Sequence, residues 1–150
     1  MDAYKVLRAA AETVSKGWSQ GANARDHDGR EVPLWATGSS ETGRASVNPA
    51  AVRFSLYAAV ALAQAPGGVV GLPAMWDLLY RRCKEAIDAV PGGNNHVHPA
   101  LGFNEIEGQT ADKVVAMLEL CANELEAGAT VDPPFPMPDT SAIASKDAIQ

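Results

Sequence analysis

Residues 48–65, NPAAVRFSLYAAVALAQA, are apolar on nearly every side; past Asn48, only Arg53, Ser55 and Gln64 interrupt the run. If such a segment is helical, other elements must surround it, because no face of it suits water. Its beginning reads as a helix start. The Asn48 side-chain oxygen can accept a free backbone N–H, and Pro49 at the first helical position gives up no donor that the helix would use. At about 18 residues it reaches the lower limit of a membrane span, but Arg53 near its start and its many weakly apolar alanines favour a protein core. The run therefore predicts a small helical domain built around residues 48–65, with no membrane association.

Three further helices are predicted around it. Asp2 is placed to cap a first helix in which Tyr4, Leu7, Ala11, Val14 and Trp18 recur at spacings of three and four, and Gly17 ends it. A third helix over residues 73–90 opens on Pro73 and carries the stripe Trp76, Leu79, Cys83, Ile87 and Val90. Thr110 caps a fourth over residues 111–127, with Val114, Met117, Leu118, Cys121 and Leu125 inward and Gly128 as its C-terminal glycine. Between the first two, residues 18–47 are rich in Gly, Ser and charge and show no helical period. That is a long loop with room for a minor hairpin: Asp28-Gly29 is a turn signal, and residues 30–35 form a returning edge strand, since Pro33 cannot serve an inner one. Residues 94–109 read as irregular. Beyond Gly128, Pro133, Pro134, Pro136 and Pro138 exclude a helix and favour an extended arm. The domain reading is a helical body over residues 1–128 and a Pro-rich arm over residues 129–150.

The formal net charge of −6 argues against direct nucleic-acid binding, which needs clustered Lys and Arg against the phosphates. The two cysteines, Cys83 and Cys121, both fall at apolar helix positions and read as reduced core residues. Residues 1–14 lack the pattern of a secretory leader. A cytoplasmic protein, or one assembled there into a virion, is the expectation.

Several clusters invite chemical readings. His96 and His98 alternate on an extended segment and so project to one side, as two imidazole metal ligands would; no CxxC or second close-spaced pair completes a metal site. Residues 25–30, RDHDGR, resemble a calcium loop until the register is set. With Asp26, Asp28 and Gly29 at the third, fifth and sixth positions, Ala24 stands where the first carboxylate belongs and Trp35 where the bidentate glutamate belongs. A polar turn is the better reading. Catalysis by His27 would need Ser39, Ser40 or Cys83 beside it, and no spacing demands that. Residues 37–44, TGSSETGR, lack the spacing of a phosphate loop. Trp18, Trp35 and Trp76 read as core or loop anchors, with Trp35 marking an interface if exposed.

Three stretches together resemble a family of small uncharacterised bacterial and phage proteins, a domain of unknown function. The first is Gly17-Trp18-Ser19-Gln20-Gly21 followed by Ala24-Arg25-Asp26 and Asp28-Gly29. The second is residues 48–56 with Ala58-Ala59, and the third is Phe103-Asn104-Glu105 leading through Gln109-Thr110 to Val114. Phe103, Glu105, Gln109, Ser55 and Ala58 depart from the residues usual in that family. The resemblance covers roughly residues 3–126; it implies an alpha-rich fold and a phage or mobile-element origin, and it brings no catalytic residues. Trp18 and Gln20 follow the first helix while Asn104 and Glu105 precede the fourth, so the two pairs are expected to meet at the ends of an antiparallel bundle.

The expectation is thus an all-α, compact four-helix domain with a long Gly/Ser-rich loop and a Pro-rich arm. Its leading function is non-enzymatic protein–protein interaction, phage-encoded, as an accessory or structural subunit or an inhibitor of a host protein. The residues named for contact are Trp18, Gln20, Trp35, Asn104, Glu105, Pro133, Pro134, Phe135 and Pro136, with a protein partner or self-assembly through the arm. No cofactor is implied. Two alternatives are a small hydrolase or metal-binding enzyme using His96, His98 and His27, and a small-molecule-binding regulator with a pocket against the central helix at Ala59 and Ala63.

Overall fold

A computed structural model describes residues 1–36, 46–91 and 98–130, with residues 129 and 130 described by backbone alone. The fold is mostly helical with a small two-stranded antiparallel sheet. In chain order its elements are α1 (Ala3–Lys16), β1 (Ala24–Arg25), β2 (Arg53–Phe54), α2 (Leu56–Gln64), α3 (Leu72–Asp88), α4 (Pro99–Asn104) and α5 (Ala111–Thr130). None of the described helices is long and apolar enough to cross a membrane.

The organising element is α1. Ala3, Val6, Leu7, Ala10, Ala11 and Val14 are all buried along it, and it packs on α5, on α2 and, more lightly, on α3 and β2. Small alanines between the larger side chains let neighbouring helices approach closely. Burial of each larger one, Val6, Leu7 or Val14, contributes about 1.5–3 kcal/mol. Asp2 occupies the N-cap position but its side chain makes no capping hydrogen bond, so that side chain acts on the helix only through its charge, while the Asp2 carbonyl accepts the Lys5 N–H at 3.0 Å.

The predicted central helix is shorter than its apolar run. Only residues 56–64 are helical, and residues 48–55 do other work. The Asn48 side-chain oxygen accepts the Ala50 N–H at 3.1 Å, closing a local turn rather than opening a helix. The next residues are drawn into a ladder: Val52 N–H donates to the Arg25 carbonyl at 2.9 Å and Ser55 N–H to the Asn23 carbonyl at 3.0 Å, while Ala24 pairs with Phe54 and Arg25 with Arg53. On its other edge, Phe54 donates to the Gly17 carbonyl at 2.9 Å and accepts from Ser19 N–H at 3.0 Å. Cross-strand bonds on both edges of β2 outweigh the intrinsic preference of its residues. Ser55 then provides the true cap, its hydroxyl accepting the Ala58 N–H at 3.1 Å.

This crossing explains Gly17. Its backbone is extended, which any residue can adopt, but a Cβ there would lie 2.2 Å from the Val52 carbonyl oxygen. The chain turns out of α1 under the incoming β2 only because that side chain is missing.

In α3 the buried residues are Met75, Leu78, Leu79, Cys83 and Ile87. The expected stripe holds at Leu79, Cys83 and Ile87; Trp76 is half-buried, and Val90 is exposed past the helix end at Asp88. The irregular reading of residues 94–109 missed α4, a short helix started by His98 and Pro99. Thr110 caps α5 as expected, its hydroxyl accepting the Lys113 N–H at 3.2 Å. The helix runs on through Gly128 to Thr130, so Gly128 does not end it. A glycine within a helix costs about 1 kcal/mol, which the packing of α5 on α1 and α3 outweighs.

In the long loop the Asp28-Gly29 turn is present, and across it Arg25 and Glu31 form an antiparallel bridge, with Asp26 N–H donating to the Arg30 carbonyl at 2.9 Å and Val32 N–H to the Ala24 carbonyl at 3.1 Å. Arg25 also pairs with Arg53 of β2. The Gly/Ser-rich residues 37–45 lie outside the described residues, as do His96 and the Pro-rich segment with Pro133, Pro134, Phe135 and Pro136.

Candidate functional site

Asn104, at the C-terminal end of α4, is 1% exposed and is the centre of a closed hydrogen-bond network. Its side-chain oxygen accepts the Trp18 indole N–H at 2.8 Å and the Leu56 backbone N–H at 3.1 Å. Its amide nitrogen donates to the Ser19 carbonyl at 3.0 Å and to a Glu105 carboxylate oxygen at 2.9 Å. An asparagine amide offers two donors and two acceptor lone pairs, and all four are used. Around it, the Gln20 amide donates to the Asn104 and Ile106 carbonyls at 3.1 and 3.0 Å, and Gly21 N–H donates to both Glu105 oxygens at 2.9 and 3.0 Å.

Trp18, Gln20, Asn104 and Glu105 therefore do meet, as the sequence suggested, although Asn104 and Glu105 flank the end of α4 and not the start of the last helix. What the network does is mechanical. It ties the exit of α1, the first residue of α2 and the end of α4 into one unit.

The elements tied in this way carry a second cluster. Tyr57 is the second residue of α2, Trp76 and Tyr80 are one turn apart on α3, and His98 begins α4. The His98 imidazole stands edge-on to all three rings, with centroids 5.8 Å from Tyr57, 5.7 Å from Trp76 and 5.8 Å from Tyr80. Tyr57 and Trp76 lie 5.5 Å apart. Such edge and tilted arrangements are the favoured ones for aromatic quadrupoles. Tyr57 is 37% exposed and Tyr80 43%, so the cluster forms part of the molecular surface.

Its polar atoms are specified. His98 Nδ1 accepts the Ala100 N–H at 3.0 Å, which makes His98 the cap of α4 and leaves the proton of the neutral ring on Nε2. Partial burial pushes the imidazole below its ordinary value, favouring that neutral form. The Trp76 indole N–H donates to the Gln64 side chain at 3.0 Å. In the sequence His98 is one of two alternating imidazoles with no completed metal site and Trp76 reads as a core or anchoring residue, while Tyr57 and Tyr80 do not stand out as a surface. The signal available was the four-residue spacing of Trp76 and Tyr80, which puts both rings on one helix face.

The other candidates are dispersed. The His27 ring is exposed and pairs with Asp28 at 3.3 Å, whereas Cys83 is fully buried. Asp26 accepts the backbone N–H groups of Arg30 and Asp28 at 2.9 Å each, and these bonds, that from Arg30 foremost, hold its carboxyl below the usual range. That is the polar turn the calcium register left standing. Trp35 is half-buried and bridges to Val47. Both cysteines are free and buried, with Cys83 raised and Cys121 pushed up to about 12, in each case chiefly by burial. Among the described residues, no group of three or more His, Cys, Asp or Glu is placed to hold a metal ion. An open depression of about 280 Å³ lies between the end of α3 and the start of α5, lined by Ala86, Val90, Phe103, Ile106 and Lys113, whereas Ala59 is fully buried against the core.

Arg82 of α3 holds Glu124 of α5 at 2.6 Å, and its hydrogen bond lowers the Glu124 carboxyl. Arg8 of α1 holds Glu126 at 2.6 Å. These pairs pin α5 across its two neighbours.

No curated protein and no solved structure matches the chain. A family model does: it covers residues 1–124 and so includes α1 through most of α5, the Asn104 network and all four members of the aromatic cluster. The chain belongs to this family of unknown function, DUF6197.

Proposed function

We propose that this is a non-enzymatic protein-interaction module, phage-encoded, serving as an accessory or structural subunit or as an inhibitor of a host protein. The observation that carries the reading is the half-exposed aromatic face of Tyr57, Trp76, Tyr80 and His98. Tyrosine and tryptophan combine a large rigid apolar area with a polar tip, so they gain much on desolvation and lose little side-chain entropy. Their enrichment at the centres of protein interfaces has that origin.

The polar cluster supports this reading over an enzymatic one. Trp18, Gln20, Asn104 and Glu105 spend their donors and acceptors on each other and on nearby backbone, so they serve as a frame that sets the positions of Tyr57 and His98. The test is affinity capture from the host extract with the full chain and with its Tyr57→Ala, Tyr80→Ala double variant. A partner recovered about tenfold less well by the variant, for a loss of about 1.4 kcal/mol, is the expected result. Equal recovery by both overturns the assignment of this face.

A further inference from the structure

The aromatic face has a chemistry that points to its occupant. Among the described residues the Tyr57 and Tyr80 hydroxyls have no hydrogen-bond partner, and with Nδ1 committed to Ala100 the His98 Nε2–H has none there either. The face thus offers three ring surfaces and three donors. A segment that fits brings flat apolar groups for the rings and carbonyl acceptors for these donors. Proline-rich chain has that composition: each proline lacks an N–H, keeps its carbonyl, and is already fixed near the extended polyproline conformation, so little entropy is lost on docking. Aromatic grooves that bind such segments work on these terms.

The chain carries one such segment, residues 133–138, Pro-Pro-Phe-Pro-Met-Pro. It starts close by. The depression that Ala86 and Val90 share with Lys113, and the Arg82–Glu124 pair at 2.6 Å, show that α5 runs back along α3 toward the end that carries Trp76. Thr130 therefore leaves α5 near that end. Arg82 faces α5, and Tyr80, two residues before it, lies on the opposite side of α3. The arm has one helix to pass, about 10 Å across. Residues 131–138 extend over about 25 Å at about 3.1 Å per residue, enough to round α3 and lay Phe135 to Pro138 on the rings.

We infer that residues 133–138 of this same chain dock on the Tyr57, Trp76, Tyr80 and His98 face, so that the arm competes with any outside partner for it. This rests on the aromatic face being the contact surface proposed above.

The test is NMR on the full chain with labelled Tyr, Trp and Phe rings. Expected are nuclear Overhauser contacts from the Phe135 ring or Pro136 to Tyr80 and Trp76, unchanged on tenfold dilution. A Phe135→Ala, Pro136→Ala full-length variant should lose those contacts and shift the Tyr57, Trp76 and Tyr80 ring signals, while core methyls of Leu7 and Leu118 stay put. Ring signals identical in wild type and variant overturn the inference, and so do contacts that fade with dilution, which would place a second copy's arm there. Because this readout uses no outside partner, its failure alongside partner capture that still depends on Tyr57 and Tyr80 removes the arm and leaves the proposed function. Arm contacts with capture indifferent to those residues do the reverse.

Discussion

Replacing Asn104 by Ala removes the one side chain that joins α1, α2 and α4, and the cost can be built from the groups it leaves behind. The Leu56 N–H is buried and has its hydrogen bond to Asn104 only. Leaving such a donor unpaired costs about 1–3 kcal/mol. The Trp18 indole, only part-buried, and the buried Ser19 carbonyl also lose partners, at about 1 kcal/mol each, the low end of that range. The sum is about 3–5 kcal/mol, against a total stability of about 5–15 kcal/mol for a domain of this kind. With a urea m-value of about 2 kcal/mol/M, the midpoint should fall by about 2 M. Urea titration followed by tryptophan fluorescence reads this directly, since Trp18 is itself in the network. Gln20→Ala, which removes only an amide donor to two carbonyls, should cost about 1 kcal/mol in the same assay. An Asn104→Ala loss under 1 kcal/mol, or one no larger than that of Gln20→Ala, would refute the view of Asn104 as the frame of the fold.

Other expectations follow from particular contacts. Gly17→Ala should destabilise by about 2 kcal/mol in thermal unfolding, because its Cβ would meet the Val52 carbonyl at 2.2 Å and β2 must shift; an unchanged midpoint would mean that β2 does not cross there. His98 is neutral in the fold and its pKa lies below the ordinary 6.5, so the unfolded chain binds the extra proton first. Stability is then full above about 6.5 and is lost as pH falls from there through the lower folded value; an imidazole NMR titration at or above 6.5 would contradict this. Cys83 and Cys121, buried with raised pKa values, should react with a thiol reagent only as fast as the protein opens. Labelling of the native state at the rate of an exposed thiol would count against the core as described.

The helical character was legible because α1, α3 and α5 each bury a stripe at the spacing of three and four, and the Thr110 cap was legible from its place before such a stripe. The start of α2 was not. Asn48 and Pro49 form a sound local helix signal, and what overrode it was β2's pairing with residues 17–19 and 23–25, a contact between segments about thirty residues apart that no local pattern encodes. α4 escaped for the opposite reason: six residues are too few for a period, though His98-Pro99 marks its start. Of the site, the meeting of Trp18 and Gln20 with Asn104 and Glu105 could be foreseen from helix ends coming together. The aromatic face draws single residues from three helices, so it becomes visible only once they are packed.

The central claim is that the face of Tyr57, Trp76, Tyr80 and His98 is where this protein meets a partner. The most direct test places a photo-crosslinking residue at position 80 or 57 and, as a control, at position 12 on the exposed side of α1, then irradiates the full chain in host extract. The account predicts a discrete adduct from positions 80 and 57 and none from position 12. Adducts from position 12 alone, or equally from all three, would contradict it.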